Sequence, residues 1–233
     1  MMHRIFKFLL FFACVLGAPS AQADSTTVPT DAATLAGPSF ATAREIMGKN
    51  FIGIPEVERD FGAISPADRS ALQHIPFSKE TLRACAATHV LVADVGSFID
   101  FNLSFFMSTG LLPGEKFAEQ TVLTSWRLIR KTPVDRSLSN TWKEQQALIN
   151  PALDEIPSER QLVYMMILYH YATGEWLFKN IFVRTSSVVL SDGFHAVVGF
   201  PDNGGPNVYY WRDDDRNIGV WVASARKLPA LSP

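Results

Sequence analysis

Pro157-Ser158-Glu159-Arg160-Gln161-Leu162-Val163-Tyr164-Met165-Met166-Ile167-Leu168-Tyr169-His170-Tyr171-Ala172-Thr173-Gly174-Glu175-Trp176-Leu177-Phe178 is the stretch that decides how this chain is read. Pro157-Ser158-Glu159 is a helix start. Behind it, Leu162, Val163, Met165, Met166, Ile167, Leu168, Trp176, Leu177 and Phe178 put apolar groups nearly all round the axis. The spacing predicts a helix over 158–178 that is wrapped on several sides by other elements. His170, Thr173, Gly174 and Glu175 interrupt the run, so it does not read as a membrane span.

Downstream the texture is strand-like. Ile181–Val189, Phe194–Phe200, Val208–Trp211 and Ile218–Ala223 are separated by turn signals at Ser191-Asp192-Gly193, Asp202-Asn203-Gly204-Gly205 and Asp213–Asn217. Four short strands with three turns predict an antiparallel meander. Upstream, Ser139–Ile149 caps and continues as a helix. Trp126–Thr132 reads as a strand ended by Pro133, and His89–Val95 as a strand apolar on both faces. Phe98–Met107 fits helix or strand equally. Residues 41–84 read as short helices, with starts at Pro55, Ser65-Pro66 and Ser78. Helices first, a central buried helix and a mostly antiparallel C-terminal sheet predict an α+β fold, a single globular domain over 41–230.

Residues 24–40 are Ser, Thr, Ala, Pro and Gly with almost no large apolar side chain, which predicts a flexible linker. Before them stand Arg4 and Lys7, then the apolar run Phe8–Leu16, then Ala21-Gln22-Ala23. Charge, an apolar core well short of the ~20 residues of a stable anchor, and a small-x-small site predict a signal peptide over 1–23. The expectation is an exported chain, periplasmic or extracellular, with no stable membrane anchor after cleavage. Cleavage takes the formal net charge from −2 to −4, because 1–23 holds two bases and no acid. A mildly acidic chain without a basic stripe does not suit nucleic acid. Cys85 is the one cysteine past the signal, so no internal disulfide is expected.

Thr88–Ala93, Trp126–Val134, Thr141–Gln146, Ala172–Glu175, Val183–Ser186, Ser191–Gly193 and Ser224–Lys227 together resemble an uncharacterised family of small bacterial proteins with no assigned function. The resemblance spans about 46–227 and implies no activity, ligand or cofactor.

The residues that bear chemistry have modest patterns. Cys85 and His89 are four apart, but the chain passes from helix to strand between them. His170 with Glu175 is the candidate catalytic pair, although five positions on a helix turn them about 140° apart. Asp213-Asp214-Asp215 lacks the alternation and the Gly of a calcium loop and reads as a solvated turn. Ser224 and Lys227 have a Ser-x-x-Lys spacing at a strand end rather than at a helix start. Arg130, Lys131, Arg184, Arg226 and Lys227 lie at strand ends. If those strands are neighbours, the cations face Asp213, Asp214 and Asp215 and form an anion-binding candidate. Tyr209, Tyr210, Trp211 and Trp221 are a candidate stacking platform for sugar or peptide. No metal site and no cofactor is implied.

The reading that follows is an exported, non-enzymatic module that binds a protein, peptide or glycan; the alternative is a small exported hydrolase. Mass spectrometry of the exported protein is expected to show Asp24 at the N-terminus, and a retained Met1 would overturn the export argument.

Overall fold

Local signals place most helix starts. The computed structural model describes residues 37–95, 123–189, 193–199 and 206–229. The expected signal, nearly all of the linker, the stretch Phe98–Met107 and the turn at 202–205 lie outside the described residues. Helix α1 (Phe40–Met47) is capped by Ser39, whose Oγ accepts the Thr42 amide at 3.2 Å. A single 3-10 turn, Gly48–Asn50, leads to β1 (Phe51–Ile52). Helix α2 (Ile54–Phe61) carries Pro55 in its first turn and stops at Gly62, whose φ of 97° suits glycine. Helices α3 (Pro66–Ala71) and α4 (Lys79–Cys85) are capped by the Ser65 and Ser78 hydroxyls.

Strand β2 (His89–Asp94) is buried along its whole length, as its two apolar faces require. It lies between β1, which is parallel to it, and the antiparallel β3 (Ser125–Arg130). Two short strands complete the first sheet, β4 (Asp154–Glu155) and β9 (Ala225–Arg226), in the order β1-β2-β3-β9-β4. A two-residue strand has too little pattern to be seen in sequence. The second sheet has the order β7-β6-β5-β8, with β5 (Phe182–Val188), β6 (Phe194–Gly199), β7 (Asn207–Arg212) and β8 (Val220–Val222). The fold is α+β with two mostly antiparallel sheets. Helix α5 (Trp142–Ala147) has a reciprocal cap between Thr141 and Glu144 and precedes β4.

One expectation about the second sheet is corrected. Strands β5, β6 and β7 form a meander, but β8 does not add to its end. It returns to the far side of β5 and runs parallel to it, with Val220 opposite Phe182 and Val222 opposite Arg184. Residues 213–219 are long enough to carry the chain back across the sheet. The free edge of β5 accepts it through Phe182 N–H to Gly219 O and Ala223 N–H to Arg184 O.

Helix α6 (Glu159–Thr173) is the predicted central helix and packs on both sheets, against β1 and β2 on one side and β5 and β6 on the other, with α2 beside it. Eight consecutive residues, Leu162 to Tyr169, are buried. It begins with a reciprocal Ser158–Gln161 cap and ends five residues earlier than the apolar pattern suggests. Gly174 takes φ 75° and returns its amide to His170 O at 2.7 Å. The apolar run continues past it because the chain folds back: Trp176 stacks on His170 at 3.8 Å, and Leu177 and Phe178 are buried.

Ile167 and Leu168 point about 100° apart on the helix and both are buried. Ile167→Ala and Leu168→Ala are each expected to cost about 2–5 kcal/mol, the range for emptying a core site. Urea unfolding at the wild-type midpoint by either variant would show that its side of α6 is not packed.

Candidate functional site

Strand alternation sorts the residues of the second sheet between two faces. Val183, Ala196, Val198 and Val208 join the main core under α6, and Tyr210 and Trp221 pack against it. The opposite face carries Phe182, Arg184, His195, Val197, Tyr209 and Trp211, and α5 covers part of it. Gln145 of α5 is fully buried there. Its Nε2 donates to Ser137 O at 2.9 Å and to Val220 O at 3.2 Å, and its Oε1 accepts from Arg184 Nη1 at 2.9 Å. Arg184 also donates through Nη2 to Arg212 O at 3.1 Å. Burial pulls the Arg184 pKa down, and the nearby Asp213 and Asp215 oppose that. Trp142 of α5 stacks on His195 at 4.0 Å, and His195 Nδ1 lies 2.7 Å from Asp213 Oδ1.

The part of this face that α5 leaves open is a cavity of about 460 Å³, lined by Phe182, Val197, Tyr209, Trp211, Asn217, Gly219 and Val220. Of the four aromatics of the candidate platform, Tyr209 and Trp211 reach it, while Tyr210 and Trp221 face the core. Phe182 meets Tyr209 edge to face at 5.5 Å. Two polar atoms at the rim are engaged: Asp215 Oδ2 accepts the Trp211 indole N–H at 3.2 Å, and Asn217 Oδ1 accepts the Gly219 amide at 2.6 Å.

Among the described residues, strand β7 is the outermost strand of its sheet. Asp213 N–H donates to Gly193 O at 2.9 Å. Counting back in twos along the antiparallel register, Trp211 and Tyr209 bond to β6, and the backbone groups of Val208 and Tyr210 face the open edge.

The cations expected at strand ends are not brought to one place. Arg184 alone approaches the acids of the 213–215 turn. Arg226 pairs with Asp154, its register partner in β4, at 3.1 Å and donates to Cys85 Sγ at 3.9 Å. Arg130 pairs with Asp135 at 3.0 Å, Lys131 donates to Asn50 Oδ1 at 3.1 Å, and Lys227 donates to Pro151 O. Asp214 pairs with Arg212 at 2.7 Å. His170 and Glu175 part company as well. His170 lies against Trp176, while Glu175 pairs with Lys49 at 2.7 Å and accepts from the Tyr169 hydroxyl at 3.3 Å. Lys49 holds the Glu175 carboxyl below its ordinary pKa. Cys85 is buried, and His89 bonds Thr88 at 2.8 Å; burial and then the charge of Arg226 lower the His89 pKa to about 4. Among the described residues, no group of three or more His, Cys, Asp or Glu side chains is placed to hold a metal ion, and no helix is long and apolar enough to cross a membrane.

A second polar cluster went unread in the sequence. Asp94 ends β2, buried, with Arg127 Nε of β3 at 3.5 Å, and Arg127 reaches Glu155 of β4 at 3.7 Å. Glu159 and Arg160, both buried, open α6, and the charge of Arg160 acts on both Asp94 and Glu159. The signal was present as charges embedded in apolar runs. Asp94 follows the apolar run Val90–Ala93, and Glu159-Arg160 come just before the buried run Leu162–Tyr169.

No family model matches this chain, and neither the curated proteins nor the solved structures contain a match.

Gln145 ties α5 to the second sheet, and its removal strips an acceptor from a buried guanidinium. Gln145→Ala is expected to lower stability by about 1–3 kcal/mol. A thermal or urea midpoint equal to the wild type would show that Arg184 finds another partner.

Proposed function

We propose that this chain is an exported, non-enzymatic binding module whose ligand is an extended peptide or protein segment with apolar side chains. One observation carries the reading: an aromatic cavity sits directly beside β7, a strand whose outer backbone edge is open among the described residues. A strand laid along β7 gains main-chain hydrogen bonds from Val208 and Tyr210, and alternate side chains fall toward Tyr209 and Trp211. Main-chain bonds supply affinity, and the cavity supplies the choice of side chain.

A peptide fits better than a sugar. A sugar needs a ring of free hydrogen-bonding groups round its stacking face, and here Asp215 Oδ2 and Asn217 Oδ1 already accept internal bonds. The apolar lining of Phe182, Val197 and Val220 suits a hydrocarbon or aromatic side chain. Asp215, which makes no ion pair among the described residues, favours a ligand with a Lys or Arg near the end of the added strand.

The hydrolase reading draws on the His195–Asp213 bond at 2.7 Å, the arrangement in which a carboxylate orients a general base. No hydroxyl or thiol is hydrogen-bonded to that ring among the described residues, so the binding reading is preferred.

An array of synthetic extended peptides, with and without a terminal Lys, tests the proposal on the mature chain. A subset rich in Phe, Tyr, Val and Thr is expected to bind. Tyr209 is 44% exposed, so Tyr209→Ala removes a contact surface without emptying the core. It is expected to weaken binding by about tenfold or more, roughly 1.4 kcal/mol. Binding that Tyr209→Ala leaves unchanged, or binding to a glycan array with none to peptides, would overturn the proposal.

A further inference from the structure

The charged cluster at the start of α6 is put together from four elements. Asp94 comes from β2, Arg127 from β3, Glu155 from β4, and Glu159 with Arg160 from α6. Among the described residues it holds three acids and two bases. Both oxygens of Asp94 and both oxygens of Glu159 are buried and accept no hydrogen bond. Arg127 makes long contacts in it, at 3.5 Å to Asp94 and 3.7 Å to Glu155. A carboxylate stripped of water and of donors is costly, and a neutral carboxylic acid in the same place is much less so.

The same spot is where α6 is fastened. The Glu159 amide donates to Ser187 Oγ of β5 at 3.1 Å, which ties the helix start to the second sheet. One turn on, the Tyr164 hydroxyl donates to Ala93 O at 3.2 Å and accepts the Val95 amide at 3.3 Å, which ties it to the end of β2.

We propose that this cluster is a proton-controlled latch: with a proton held on the Asp94 or Glu159 carboxyl the start of α6 stays clamped between the two sheets, and without it that end of the helix loosens. The charges that act on the latch among the described residues come from several elements. Arg160 lies on α6 itself, Arg127 on β3 and Glu155 on β4, and Asp68 of α3 acts on Tyr164. On the second sheet the neighbour is the neutral Ser187, because Arg184 and His195 point to the far face, toward α5. On α2 the neighbour is Phe61, stacked on Tyr164 at 5.7 Å, while Arg59 and Asp60 pair with each other.

Burial pushes the Asp94 carboxyl up to about 7 against the pull of Arg127, and the Glu159 carboxyl up to about 7 against that of Arg160. Both folded values lie above the ordinary carboxylate range. The stabilisation is therefore complete below about pH 4 and is lost as pH rises through about 7. Most buried carboxylates that are salt-bridged behave in the opposite sense.

Hydrogen–deuterium exchange of the mature chain at pH 6 and pH 8, corrected for the intrinsic rate, tests the latch. Amides of Leu162 to Met165 are expected to lose at least tenfold in protection at pH 8, and Glu159→Gln or Asp94→Asn is expected to abolish the difference. Equal protection at both pH values, or a difference that persists unchanged in both variants, would overturn the proposal. If neither variant folds, infrared difference spectra of the wild type decide. Loss of a carboxylic-acid C=O band between pH 6 and pH 8 supports the latch, and the absence of such a band overturns it.

Discussion

A helix with a sheet on each side has no face left for water. α6 meets that condition between the β1–β2 side of one sheet and the β5–β6 side of the other, and its composition follows from it. Leu162 through Tyr169 are buried without a break, so polar side chains are confined to its ends. At the far end Gly174 releases the chain and Trp176 seals the last turn by stacking on His170. At the near end the fastening is polar, through Ser187, Tyr164 and the Asp94–Glu159 cluster, and this is where the interior holds charge.

The elements with strong local chemistry were legible. Ser65, Ser78, Thr141 and Ser158 announce helix starts because their side chains satisfy orphan amides whatever the tertiary context. The all-apolar run of β2 and the near-continuous apolar surface of α6 announce burial. Strands β1, β4 and β9 were not legible. Each is two residues long, and each exists because a neighbour supplies an edge rather than because its own residues alternate. The direction of β8 was hidden for a related reason. Val220-Trp221-Val222 would pair equally well parallel or antiparallel, and the path of residues 213–219 decides.

Of the candidate site, the sequence supplied the residue types but not the faces. Tyr209, Tyr210, Trp211 and Trp221 look equivalent as a string. Period-two alternation sends two of them to the cavity and two to the core, and that division can be assigned only once the strand limits are known. The cations behaved similarly. Arg130 and Arg226 do end their strands, but Arg184 lies inside β5, and the three belong to two sheets and meet different acids. Arg184 in particular is a buried tether for α5 through Gln145, a role that depends on a partner thirty-nine positions away.

The short connection from β8 to β9 links the two halves in time as well as in space. Within residues 220–226 the chain completes the second sheet, crosses at Ala223 and Ser224, and completes the first, where among the described residues β4 pairs only with β9. Val134 N–H and Arg130 N–H close onto Val222 O and Ser224 O along the way. Neither sheet can therefore be finished on a nascent chain until residues 220–226 have been made. Contacts this distant in sequence form slowly. A chain interrupted before Val220 leaves both sheets incomplete at a single stroke.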